Sequence, residues 1–180
     1  MSKEILISIQ PKWCELITSG KKKIEIRKTK PKIEAPFKCY IYETQGRTET
    51  PFVDEEGHHI FKGRGQVIGE FVCRNIDFLS ERDLFEGMDE ISNSRIEEYS
   101  CLSIDELLQY KGKKEEIYAW HISDLLIYDE PKELSEFFYA CDKPKGTDCS
   151  ECLDRRENKC KAITRPPQSW CYVEEKEAQK

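Results

Sequence analysis

The chain has 180 residues, of which 36% are charged and 11% aromatic, with a formal net charge of −6 at pH 7 and a mean hydropathy of −0.72. That length suits one domain with a core of its own, and the aromatic content argues for a folded chain. No apolar run approaches the ~20 residues of a membrane-spanning helix, and the net negative charge argues against a strong, general nucleic-acid binder.

The opening MSKEILISIQ has one basic residue and an apolar run broken by Ser8, so it does not read as an export signal. A cytoplasmic protein without a membrane partner is expected. EILISIQ (4–10) reads as a strand. Pro11 suits the first turn of a helix, Trp13, Leu16 and Ile17 continue it at helical spacing, and Gly20 is a natural stop. KKIEIRK (22–28) alternates with period two, as a half-buried strand does. Pro31 and Pro36 bracket a loop, and FKCYIYET (37–44) is the third strand. Residues 45–62 form a polar loop or hairpin arm. GRGQVIGEFVCRNI (63–76) is the fourth strand, with glycines marking tight bends or close backbone approach. From 81 to 111 the texture is helical, and SIDE (103–106) is a capping box. EEIYAWHISDLLIYD (115–129) returns to strand, with a break near Ser123. Pro131 precedes a short helix, KELSEFFY, SWCYVEE (169–175) is the last strand, and 176–180 should fray. Together these elements predict an α+β domain over 1–175, a small mixed β-barrel with flanking helices and a helical insertion at about 81–111.

Charge is unevenly spread: ten of the 29 Lys/Arg but only four of the 35 Asp/Glu lie in residues 1–38. Local potential, rather than net charge, decides what a cleft attracts. Within SGKKKIEIRKTKPK (19–32), strand geometry sends Ile24 and Ile26 one way, toward the barrel interior, and Lys23, Glu25 and Arg27 the other. Glu25 beside Arg27 should be ionised, each holding the other. An arginine so held offers its donor fork to a phosphate or a base edge. Lys12, on the preceding helix, can reach the same side, where the helix N-terminus also favours anions. The plainer alternative is a solvated strand with scattered ion pairs, each worth little.

Trp13, Trp120 and Trp170 can stack on bases, worth ~1–3 kcal/mol per base, or can fill the core. His121 can bond a ligand or serve as a general base, or be a structural strand residue, while His58 and His59 fit a solvated loop. Pro166 and Pro167 fix an extended approach to the last strand, where Gln168 and Ser169 either read a base edge or form a rigid turn.

Nine cysteines are present. Cys14, Cys39, Cys73, Cys101 and Cys171 sit in apolar surroundings or at element ends, as free buried thiols do. Cys141, Cys149, Cys152 and Cys160 cluster in CDKPKGTDCSECLDRRENKC, with a central C-x2-C. That spacing fits a tetrahedral four-thiolate site. The intervening residues are almost all polar, so a metal is a physical reason for the segment to be ordered. A structural zinc is expected, with an iron–sulfur cluster as the alternative. Residues 141–160 therefore read as a zinc-knuckle insertion before the last strand, whose Arg155, Arg156 and Lys159 can add contact surface.

SIQPKWCELITSGKKKIEIRK resembles the opening of ASCH domains, in the PUA-like superfamily of small β-barrels: a strand, a helix beginning near P-K, a turn at S-G-K-K, and a strand ending E-x-R. GRGQVIGEF resembles the following barrel strands. YAWHISDLLIYDEPKELSEF and RPPQSWCYVEE resemble the closing portion of a prokaryotic and phage-associated subgroup. The likeness covers about 4–140 and 163–175. It implies a PUA-like barrel with the first helix beside a cleft. Relatives such as YTH and EVE domains bind RNA or modified bases in a comparable cleft. Some small bacterial ASCH proteins hydrolyse N4-acetylcytidine with a lysine, a threonine and a glutamate, in a motif G-R-K-T-I-T-I-R. Here the stretch is G-K-K-K-I-E-I-R. The lysine falls on Lys22, the threonine position holds Glu25, and Glu98 lies in about the right segment for the glutamate.

The reading that results is a module binding RNA or a modified nucleotide in a basic cleft between the first helix and strand two. Lys12, Lys22, Glu25, Arg27 and His121 would supply polar contacts and Trp13 or Trp120 the stacking surface. The alternatives are a hydrolase acting on nucleosides or RNA through Lys22 with Glu25 or Glu98, and a regulatory adaptor that binds protein through its acidic C-terminal half.

Overall fold

The computed structural model describes residues 3–49, 60–84, 90–140 and 162–175. In chain order the elements are β1 (Glu4–Ile9), α1 (Pro11–Thr18), β2 (Ile24–Arg27), β3 (Phe37–Glu43), β4 (Arg47–Glu49), β5 (Ile60–Lys62), β6 (Val67–Ser80), α2 (Glu90–Ser100), α3 (Ile104–Lys111), β7 (Glu116–Lys132), β8 (Phe137–Tyr139) and β9 (Trp170–Glu175). Seven strands form one sheet in the order β2-β7-β6-β3-β1-β9-β8, and β4 pairs with β5 as the expected hairpin arm. β1 and β3 run parallel, which requires a crossover, and α1 and β2 lie within it. The other neighbours in the sheet are antiparallel.

β1 is apolar from Ile5 to Ile7 and again at Ile9 because both of its faces are covered. Ile5, Ile7 and Ile9 join Cys14 and Ile17 of α1, Cys39 and Ile41 of β3, Phe71 and Trp120 in the main core. Leu6, on the opposite face, packs with Tyr40, Val67, Phe137 and Val173. A further cluster mounts the helices outside β2 and β7, where Ile24 and Ile26 meet Leu79, Leu107 and Ile117. This corrects the expected direction of β2. Its isoleucines face the helices, and its polar face turns inward, because α2 and α3 cover the strand from outside. All four residues of β2 are buried.

The sheet curls on itself. Nη2 of Arg27, on edge strand β2, donates to the Ser8 carbonyl of β1 at 2.6 Å, although three strands stand between them in the sheet order. Among the described residues no ladder joins β2 to β1 or β9. The barrel is thus left open along one seam.

Several expectations are revised. β7 does not break at Ser123; Val72 pairs with Ser123 and Glu70 with Leu126, and Asp124 takes φ 48° in the bulge between. The same pairing explains Gly69, where an added Cβ would stand 2.4 Å from the Leu126 carbonyl. KELSEFFY is not a helix. A single 3-10 turn, Leu134–Glu136, leads into β8, because Phe137 pairs with Glu175 of β9 and that tertiary pairing overrides local propensity. The capping box is formed: Ser103 and Glu106 satisfy each other's backbone N–H at the start of α3.

Cys14, Cys39 and Cys73 are buried and Cys101 and Cys171 half-buried, all as free thiols. Cys141, Cys149, Cys152, Cys160, His58 and His59 lie outside the described residues. No group of three or more His, Cys, Asp or Glu among the described residues could hold a metal ion. No helix among them is long and apolar enough to cross a membrane.

Candidate functional site

The open seam holds a cleft of about 570 Å³. The end of β1 (Ser8, Ile9, Gln10), Trp13 of α1, and Lys22, Glu25, Ile26 and Arg27 around β2 form one side. Thr44, Leu102 and Tyr110 of α3, and the Pro166–Pro167–Gln168 approach to β9 complete it. The Ser8 hydroxyl donates to the Pro167 carbonyl at 2.6 Å and ties that approach to β1.

Strand register aims the charged groups. Glu25 pairs with Trp120 and Arg27 with Tyr118 on β7, and directly opposed residues share a face. Both side chains therefore stand on the inner face. The turn before β2 is pinned by Lys22 N–H to Leu16 O at 2.9 Å and Lys23 N–H to Tyr99 O at 2.7 Å. This places Lys22 Nζ 3.5 Å from Glu25 Oε2, while Arg27 Nη2 lies 3.0 Å from Glu25 Oε1. Lys22 also donates to the Ser100 carbonyl at 2.6 Å, and Arg27 Nη1 to the Ser169 hydroxyl at 3.4 Å. The three residues are 2%, 6% and 7% exposed. Two cations and one carboxylate thus share a desolvated wall with a surplus positive charge. Burial pulls the Lys22 ammonium below its ordinary pKa, partly offset by Glu25. The buried Arg27 Nε has no hydrogen-bond partner.

Aromatic side chains bracket this wall. Lys12 Nζ and Lys22 Nζ lie 4.6 and 4.9 Å from the Trp13 ring centroid. Tyr110 is 38% exposed at the mouth. Burial raises its hydroxyl pKa, against the pull of Arg27.

Of the residues singled out in the sequence, Trp13, Lys22, Glu25 and Arg27 are brought together here, with Lys12 beside Trp13. Trp120 is not a stacking platform. It is 0% exposed, edge-on to Phe37 at 5.7 Å and tilted on Trp170 at 5.9 Å, so no ring face is open to a base. His121 pairs with Ile24, on the face away from Glu25, and bonds Asp77 Oδ2 at 2.6 Å. It is therefore outside the cleft. Glu98 is exposed on α2 and does not line the cleft; its neighbours Tyr99 and Ser100 meet the site through their carbonyls instead. Tyr110, Leu102 and Thr44 went unrecognised in the sequence. The capped, amphipathic α3 was the one available hint that Tyr110 faces something.

A family model for the ASCH domain matches residues 7–139. Among solved structures, ASCH from Zymomonas mobilis is similar with a TM-score of 0.56 and 22% identity, covering 96% of this chain and 88% of that one. A single-substitution mutant of that protein gives 0.56 and 21%, covering 96% and 91%. A second mutant gives 0.55 and 22%, covering 96% and 89%. No curated protein matches this chain. At such identity these structures show a shared fold alone, but the family model runs from β1 to β8, and the chain belongs to the ASCH domain family.

Proposed function

We propose that this protein recognises RNA by taking one base, plain or modified, into the cleft between α1 and β2. ASCH domains are generally RNA-associated. The observation that carries the reading is the buried Lys22–Glu25–Arg27 wall set between Trp13 and Tyr110. For stability alone, apolar residues would serve a buried wall as well as ion pairs do. What the charges add is recognition: a carboxylate accepts from a base amino group, and a guanidinium edge donates to a carbonyl or phosphate. A cleft of about 570 Å³ is in the range of small-ligand sites. The test is a tryptophan-fluorescence titration with nucleoside monophosphates and short RNA. Arg27→Ala should abolish binding; undiminished affinity in that variant would sink the proposal.

A second reading is favoured by one observation, the burial of Lys22 with its Nζ 3.5 Å from Glu25 Oε2, a setting in which desolvation pulls the ammonium pKa down. A lysine so placed can act as a base or stabilise a developing oxyanion in nucleoside hydrolysis, with Glu25 as its partner. Incubation with N4-acetylcytidine should then yield cytidine and acetate, and Lys22→Ala should yield neither.

We also propose that Cys141, Cys149, Cys152 and Cys160 bind a structural zinc, on their thiolate spacing. The likeness of 118–137 and 165–175 supports placement in the prokaryotic, phage-associated subgroup, acting in the cytoplasm.

A further inference from the structure

The segment leaving β2 carries Lys28, Lys30 and Lys32, all exposed. Lys28 Nζ lies 4.9 Å from the ring centroid of Tyr110, in the cleft wall, and Lys30 Nζ lies 5.5 Å from that of Tyr118. Neither of these two lysines forms an ion pair among the described residues. Tyr118 stands opposite Arg27 on β2 and opposite Phe78 on β6. Opposed residues share a face, so Arg27, Tyr118 and Phe78 form one row across three strands. Phe78 is 64% exposed, more than any other large apolar side chain among the described residues.

A single exposed phenylalanine is ordinary, and a lysine over a tyrosine contributes little at a surface. Their combination beside the cleft is less ordinary. Lys28 sits by Tyr110, which lines the cleft, and Lys30 sits by Tyr118, whose strand neighbours are Arg27, also in the cleft lining, and exposed Phe78. Cations beside successive aromatic faces are what a single nucleic-acid strand requires, the cations for phosphates and the ring faces for bases. Lysines without acidic partners favour a polyanion over the mixed-charge surface of a folded protein.

We infer that the ligand is a single strand rather than a free nucleoside. One base enters the cleft, and its neighbours follow Lys28 and Lys30 across Tyr110, Tyr118 and Phe78. This rests on the cleft reading above.

The experiment compares each ribonucleoside monophosphate with the RNA trinucleotide of the same base, and with its DNA counterpart, at several salt concentrations. Two stacked flanking bases should tighten binding by roughly 30-fold even at the low end of aromatic stacking. The triple variant Lys28→Ala, Lys30→Ala, Phe78→Ala alters exposed side chains only. It should bring the trinucleotide down to the monophosphate's affinity and flatten the log–log salt slope by about 1.4, two phosphate contacts at ~0.7 each. A gain no larger than the statistical one of offering three bases overturns the inference and leaves the cleft reading standing. So does a gain that survives the triple variant. If neither monophosphate nor trinucleotide binds, the cleft reading falls and the strand path with it.

Discussion

Nη2 of Arg27 stands 3.0 Å from Oε1 of Glu25 and, from β2, donates to the Ser8 carbonyl of β1 at 2.6 Å. One guanidinium therefore spans a seam that no backbone ladder closes among the described residues. It is both a structural tie and a wall of the cleft. Arg27→Ala should cost about 3–5 kcal/mol, the usual loss when one partner of a buried pair is removed. Urea denaturation measures this, and a loss below about 1 kcal/mol, the scale of exposed pairs, would show that the tie carries little. Arg27→Lys keeps the charge but loses the planar fork, so it should recover part of the stability and none of the ligand affinity.

Lys22 sets a pH dependence. Burial lowers its folded-state pKa below the ordinary 10.5. Between the two values the unfolded chain binds more protons, so the contribution of Lys22 to stability rises with pH across that window and is least favourable below it. Relative to a Lys22→Met variant, which lacks the titration, the native chain should gain stability from neutral pH toward 10.5. Parallel denaturation curves over that range test it. A difference that stays flat or falls would mean that Glu25 and the Ser100 carbonyl compensate the ammonium fully.

The helical pair should matter to the cleft through packing. Leu107 is fully buried between α3 and the outer face of β2. Leu107→Ala should cost about 2–5 kcal/mol by cavity formation. Because α3 also carries Tyr110, ligand affinity should fall although the charged wall is intact. Unchanged affinity in a destabilised variant would show that Tyr110 is not part of the binding surface.

Much of this arrangement was legible in the sequence, because it is written in short-range patterns. Period-two alternation at Ile24, Glu25, Ile26 and Arg27 identified β2, and Pro11 and Gly20 bracketed α1. Which face of β2 turns inward was not legible. That depends on α2 and α3, distant in sequence, covering the isoleucines. Trp120 and His121 look equally available in the sequence, yet adjacent strand residues face opposite ways, one into the core and the other toward Asp77. KELSEFFY has helical composition and forms β8 only because β9 is there to pair with it.

The cysteine segment yields the last prediction. Purified protein should carry about one zinc per chain, and Cys149→Ser with Cys152→Ser should remove it. The segment's two ends are tied together on the barrel: Phe138 bridges Ala162, and the Ile163 N–H donates to the Phe137 carbonyl at 2.8 Å. The chain on either side of residues 141–161 is thus joined by backbone bonds and anchored by Phe137 and Ile163, both fully buried. Removing the metal should therefore leave the sheet intact. A chelator should release zinc and expose protease sites within 141–160, while RNA affinity and the denaturation midpoint of the remainder hold. Protein free of metal would leave the thiolate cluster without its ion. Loss of the whole fold on chelation would mean that the metal, rather than the β8–β9 ladder and the Phe138–Ala162 bridge, holds this edge of the sheet together.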